Sequence, residues 1–170
     1  MPDFFPQIAA IKVNDVTPGS IVEMRRSGSR VFALATDHIE NNSRSLVILN
    51  GTFSQKPSVV FLNNWRNIED VLVYNAGVRF EVSMNDRDFD PNGNRFGEIF
   101  GALVLVGDQL CIRAARFDTW NSPILINAKT GSVFSDPQPY DVWHFSSWRL
   151  WVRDLAKDCS FELFHFSLNK

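Results

Sequence analysis

Ten short runs rich in Val, Ile, Leu and Phe recur along the chain, separated by Gly, Pro, Asn and Asp. They cover residues 20–24, 30–35, 45–49, 58–62, 78–84, 99–106, 109–117, 123–127, 141–145 and 160–168. Cβ-branched and aromatic side chains fit a pleated surface, while the separating residues supply the backbone angles of tight turns. The punctuation therefore predicts strands joined by turns. Turn signals stand at Pro18-Gly19, Gly28, Asn50-Gly51, Gly77, Asn92-Gly93, Gly107-Asp108, Thr130-Gly131 and Asp136-Pro137. In 78–84, Val78, Phe80, Val82 and Met84 alternate with Arg79, Glu81 and Ser83, the period of a half-buried strand. The final run is apolar on both faces and predicts a strand covered on both sides.

An internal repeat organises these runs. The phrase FLNNWR, ending at Arg66, is echoed by HFSSWR, ending at Arg149, 83 residues later. Beyond the match, Trp65, Ile68 and Leu72 correspond to Trp148, Trp151 and Leu155, with the spacing of one helix face. Asn64 and Ser147 precede them as N-cap residues. Phe80 falls on Phe161 at an offset of 81, Gly28 on Gly107 at 79, and Asn50 on Asn127 at 77. Order is kept, and the drift is what loop insertions produce. The expectation is a β-rich α+β fold of two tandem, pseudo-twofold repeats of about 80 residues. Each repeat is expected to be an antiparallel curled sheet or small barrel with one short helix. The repeats span residues 12–85 and 95–170, joined by a polar linker at 86–94, and are expected to pack as one globular unit.

With 170 residues, 15 Phe and 5 Trp, the chain carries enough apolar mass for a core without disulfide or metal staples. Its net charge of -2 argues against nucleic-acid binding, and Arg25, Arg26 and Arg30 read as a solvated turn. The longest apolar run is about half of a membrane span, and the N-terminal residues lack a secretory pattern. A cytoplasmic protein with no membrane partner is the expectation. Cys111 and Cys159 each lie in apolar segments and read as small core residues.

Chemical motifs are sparse. The stretch DFDPNGNRFGEI, residues 88–99, reads D-x-D-x-N-G and resembles the opening of a calcium loop of the EF-hand type. That resemblance implies Asp88, Asp90 and Asn92 as metal ligands; it departs from the pattern because Glu98 stands at position eleven and the flanks read as strands. The alternative is a polar linker and no cofactor. His38, His144 and His165 lack helical metal-site spacing, and no C-x-x-C pair exists. Phosphate-binding glycine loops and the hydrolase nucleophile elbow are absent from the sequence.

Trp65 and Trp148 read as core anchors at matched positions. Arg66 and Arg149 follow them and are candidates for pairing with a carboxylate or converging on an anion. Trp120, Tyr140 and Trp143 fall in or beside Pro- and Asn-rich segments of the second repeat only and form the candidate recognition surface. The functional expectation is a non-catalytic binding module for a protein or small-molecule ligand, at the repeat interface or on the aromatic loops, and a candidate homo-oligomer. The alternatives are a small-substrate enzyme using His38, His144, Arg66 and Arg149, a Cys111–His144 nucleophile pair, or a structural subunit of an assembly.

Overall fold

The computed structural model describes residues 8–26, 28–40, 43–53, 56–62, 70–74, 77–90, 100–116, 123–134, 142–154 and 158–167. Fifteen strands run through them: β1 (Ile8–Lys12), β2 (Ile21–Arg26), β3 (Ser29–Glu40), β4 (Ser43–Phe53), β5 (Lys56–Leu62), β6 (Asp70–Tyr74), β7 (Val78–Val82), β8 (Arg87–Asp90), β9 (Leu103–Val106), β10 (Gln109–Arg116), β11 (Pro123–Asn127), β12 (Val133–Phe134), β13 (Val142–Phe145), β14 (Ser147–Asp154) and β15 (Cys159–Ser167). Two 3-10 turns, Val13–Asp15 and Met84–Asp86, are the only helical pieces among the described residues. None of their helices is long and apolar enough to cross a membrane.

Twelve strands form one sheet in the order β1-β6-β2-β3-β4-β5-β10-β9-β13-β8, with β11 and β12 branching from β10. The remaining three form a smaller sheet, β15-β14-β7. Most pairings are antiparallel, but β5 meets β10 in parallel. Both sheets hold strands from both halves of the chain, since β7 lies beside β14 and β8 beside β13. Among the described residues, neither sheet closes on itself.

Period-two alternation places one face of each sheet against the other. From the large sheet, Ile21, Phe32, Leu34, Val47, Phe61, Leu103, Ile112, Ile126 and Phe145 join one buried cluster. Trp148, Leu150, Val152 and Phe166 of the small sheet complete it. On the reverse face of the N-terminal strands, Val22, Met24, Ala33, Ala35, Leu46, Ile48, Val60, Val71 and Val73 form a second cluster under Val13 and Val16.

The helix expected to begin at Ser147 is instead strand β14. Trp148, Trp151 and Leu155 do have helical spacing, but Trp148, Leu150 and Val152 also alternate with Arg149 and Arg153. Period two prevails because β14 is the central strand, paired on both sides. Of the earlier helix, residues 63–69 lie outside the described residues, and Leu72 belongs to β6. Arg87–Asp90, within the expected linker, forms the terminal strand of the large sheet.

Candidate functional site

Strand β13 carries an exposed aromatic side chain, Trp143. Its inward residue Phe145 is buried in the main core, and Trp143, two residues earlier on the same face, lies at the rim with 40% of its surface exposed. The register sets Trp143 opposite Leu105 of β9, and Leu105 opposite Leu110 of β10. Leu105 and Leu110 are partly buried against the core, so an apolar row crosses β10 and β9 to the indole, with Phe89 of β8 next in register. The Arg87 guanidinium lies 5.5 Å from the centre of that ring. Stacking of this kind steadies an aromatic side chain without covering all of it.

The reverse face of these strands is polar and enclosed. His144 is buried there, in a cross-strand row that runs Asn127, Cys111, Val104, His144, Asp88. Cys111 and His144 are two strands apart, about 9–10 Å at the usual strand spacing, so the structure does not pair them. Burial also pushes the Cys111 thiol up to about 11. A thiol held protonated at neutral pH is the reverse of an activated nucleophile. Asn127 is occupied by its own turn: its Oδ1 accepts the Lys129 and Thr130 N–H groups at 2.9 and 3.0 Å, and its Nδ2 donates to Gln109 at 3.1 Å.

Asp88 and Asp90 stand in extended strand β8, in register with His144 and Val142. Asn92 lies outside the described residues. Among the described residues, no group of three His, Cys, Asp or Glu side chains is placed to hold a metal ion.

Of the alternative catalytic site, His38, His144 and Arg149 are among the described residues. His38 meets Ser45 through Nδ1 at 2.9 Å and sets its ring edge-on to Phe61. Arg149 lies on the outward face of β14, exposed, with its Nε 3.6 Å from a Glu162 carboxylate oxygen. Thus His144 lies on the reverse side of the large sheet and Arg149 on the outer side of the small one, with the core between them. Arg66, Trp65, Trp120 and Tyr140 lie outside the described residues.

One ionic cluster, with Glu23 and Tyr74 buried and Arg30 reaching over them from solvent, has no motif in the sequence. Arg30 donates from Nε and Nη2 to the two oxygens of Glu23, at 2.7 and 2.8 Å, and the Tyr74 hydroxyl donates to Glu23 Oε2 at 2.6 Å. Arg30 is exposed, as its reading in a solvated turn expects, and it also pairs with Glu23. The signal lay in the hairpin register, which sets Arg30 opposite Arg25 and so diagonally across from Glu23. The Arg30 bond holds the Glu23 carboxyl below its usual range, while burial and the Glu23 contact push Tyr74 up to about 12. These groups fasten β2, β3 and β6 together.

A pH dependence follows from the direction of the Glu23 shift. A carboxyl lowered in the folded state contributes stability above its unfolded value, about 4.3, and that contribution fades as pH falls through the folded value. Glu23→Gln should therefore lose stability at pH 7, by about 1–3 kcal/mol for a broken charge-assisted contact. It should also lose less than the native chain when taken to pH 3. Urea denaturation at the two pH values checks this; equal losses in both proteins would exclude Glu23 as a contributor to the acid limb.

Comparison of the chain with protein-family models, with curated proteins and with solved structures found no match.

Proposed function

We propose that the protein is a non-catalytic recognition module whose anchor is Trp143. The observation that carries this reading is the position of that indole: exposed, braced by Arg87, and fixed on a strand whose next inward residue is core. Aromatic residues held rigidly at a surface supply large contact area at small entropic cost, and Trp is over-represented among residues that dominate binding energy. The partner expected is a protein segment with an apolar side chain to lay along Leu110, Leu105 and Trp143. Binding is favoured over chemistry because the Cys111 thiol is held protonated and the Glu23 carboxylate is saturated by Arg30 and Tyr74. Tyr140 and Trp120 are proposed with Trp143 from the sequence alone, since both lie outside the described residues.

The duplication is proposed in a narrower form, for the meanders β2-β3-β4 and β9-β10-β11. Support comes from their common antiparallel order and from hairpins in which Arg26 pairs with Ser29 and Val106 with Gln109, at an offset of 80.

Selection of a displayed peptide library on the immobilised full chain tests the recognition reading. A selected peptide should bind the native chain and bind Trp143→Ala about tenfold or more weakly. The melting temperature should change little, since truncating a rim residue costs about 1 kcal/mol or less. Undiminished affinity in the variant, or no enrichment over heat-unfolded protein, would remove Trp143 as the anchor.

A further inference from the structure

Strand β15 forms one edge of the small sheet and, among the described residues, pairs with β14 alone. The pairing slips midway: Leu150 lies opposite Phe164, but Trp151 lies opposite Glu162, so Leu163 is the extra residue of a bulge. In an unbroken strand Glu162 and His165, three residues apart, would face opposite sides. Here both share the outer face, beside Trp151 and Arg149 respectively. Phe161, Leu163, Phe164 and Phe166 all belong to the core cluster on the inner side. From 161 to 166 the side chains therefore run in, out, in, in, out, in. That order is symmetric about the point between Leu163 and Phe164.

We propose that β15 pairs antiparallel with β15 of a second copy of the chain, around a twofold axis between Leu163 and Phe164. Facing residues in an antiparallel ladder must share a side, and this register satisfies that for every pair from 161 to 166. Phe161 meets the other copy's Phe166 over the core, and Glu162 meets the other copy's His165 outside it. Each carboxylate then faces an imidazole, twice per interface. A register displaced by one residue would set outward Glu162 against inward Phe164 or inward Phe166, which is the mismatch that normally fixes register. A bulge ordinarily blunts an edge. In this strand it makes the edge self-complementary. The product is a continuous six-stranded sheet formed by an isologous contact, the commonest symmetry of soluble oligomers.

Within one copy Glu162 lies 3.6 Å from Arg149 and His165 Nε2 lies 3.2 Å from the Ser147 hydroxyl, contacts that hold both side chains on the outer face. The opposite edge, β7, is shorter and has no such bulge, with Arg79 and Glu81 3.8 Å apart. It serves as the internal control. Sedimentation of the full chain across a concentration series should show the mass rising from 19.4 kDa toward twice that. Glu162→Arg, which sets a cation against His165 and beside Arg149, should raise the dissociation constant about tenfold or more. His165→Glu, which opposes two carboxylates, should do the same, and Glu81→Arg on β7 should leave it unchanged. Circular dichroism and melting establish that each variant is folded. A single 19.4-kDa species up to about 1 mM, a concentration at which even weak pairs assemble, would overturn the proposal. So would a dimer indifferent to both β15 variants, or one weakened only by Glu81→Arg.

Discussion

Trp148→Ala is expected to cost about 3–5 kcal/mol, the range for deleting a large aromatic side chain from a packed interior. Trp148 is 1% exposed and lies where the two sheets meet. Its ring stacks on Phe166 at 5.2 Å and meets Phe80 and Phe164 edge-on at 5.5 and 5.8 Å. Its Nε1 donates to the Gly101 carbonyl at 2.7 Å, tying the small sheet to the segment that enters β9. Truncation removes both the packing and the donor. Trp148→Phe separates the two effects: it keeps much of the ring volume but strands a buried carbonyl, at about 1–3 kcal/mol. Chemical denaturation of both variants measures the difference. A loss below about 1 kcal/mol for Trp148→Ala would mean that the sheets are not joined through this residue.

The role of Trp148 as a core anchor was legible in the sequence, but the element carrying it was not. A 150–250 Å² aromatic side chain is a strong prior for burial wherever it occurs. Ser147–Asp154, by contrast, satisfies two periods at once, because Trp151 fits both the helical set and the outward face of a strand. What decides between them is that β7 and β15 flank the segment, and β7 is some 70 residues away. Local sequence carries no record of such a partner. The alternation from Val78 had no competing period, and its strand covers Val78–Val82 of the expected 78–84, with Met84 exposed at the start of a 3-10 turn.

Repeated phrases in the sequence do not fix the roles of their residues. Asn50 and Asn127 close similar apolar runs, yet Asn50 accepts the Phe32 N–H at 2.8 Å and donates to the Arg30 carbonyl at 2.9 Å, across to β3. Asn127 instead folds its side chain onto its own turn. Asn50 lies inside β4, at the register shift between Ile48 and Gly51 and not at the turn its Asn-Gly pair predicts, whereas Asn127 ends β11, so the backbone in reach differs. For the candidate site, Trp143 was singled out because it had no counterpart in the first half and lay beside turn-forming residues. Its bracing by Arg87 was invisible, since the two residues meet only through the β8–β13 pairing. The same holds for Tyr74 and Glu23, which are 51 residues apart.

Gly131→Ala should be a severely damaging change of a single methyl group. Gly131 has φ of 71°, and a Cβ there would lie 2.2 Å from the Ala35 carbonyl oxygen and 2.6 Å from the Gly19 nitrogen. Backbone meets backbone at this point: the Asp37 N–H donates to the Gly131 carbonyl at 3.0 Å, and the Gly19 N–H to the Ala35 carbonyl at 2.8 Å. The turn after β11 is thereby seated on β3 and on the loop before β2. A methyl group must push these strands apart, sacrificing hydrogen bonds worth about 1 kcal/mol each in addition to about 1–2 kcal/mol for the left-handed backbone. The expected loss is about 3–5 kcal/mol. Gly107→Ala supplies the comparison, because Gly107 has φ of 61° but nothing within 4 Å of the added carbon. It should lose only the conformational share, about 1–2 kcal/mol. Urea midpoints of the two variants isolate the close approach from the backbone angle, and equal losses would show that the seating of this turn on β3 contributes nothing to the fold.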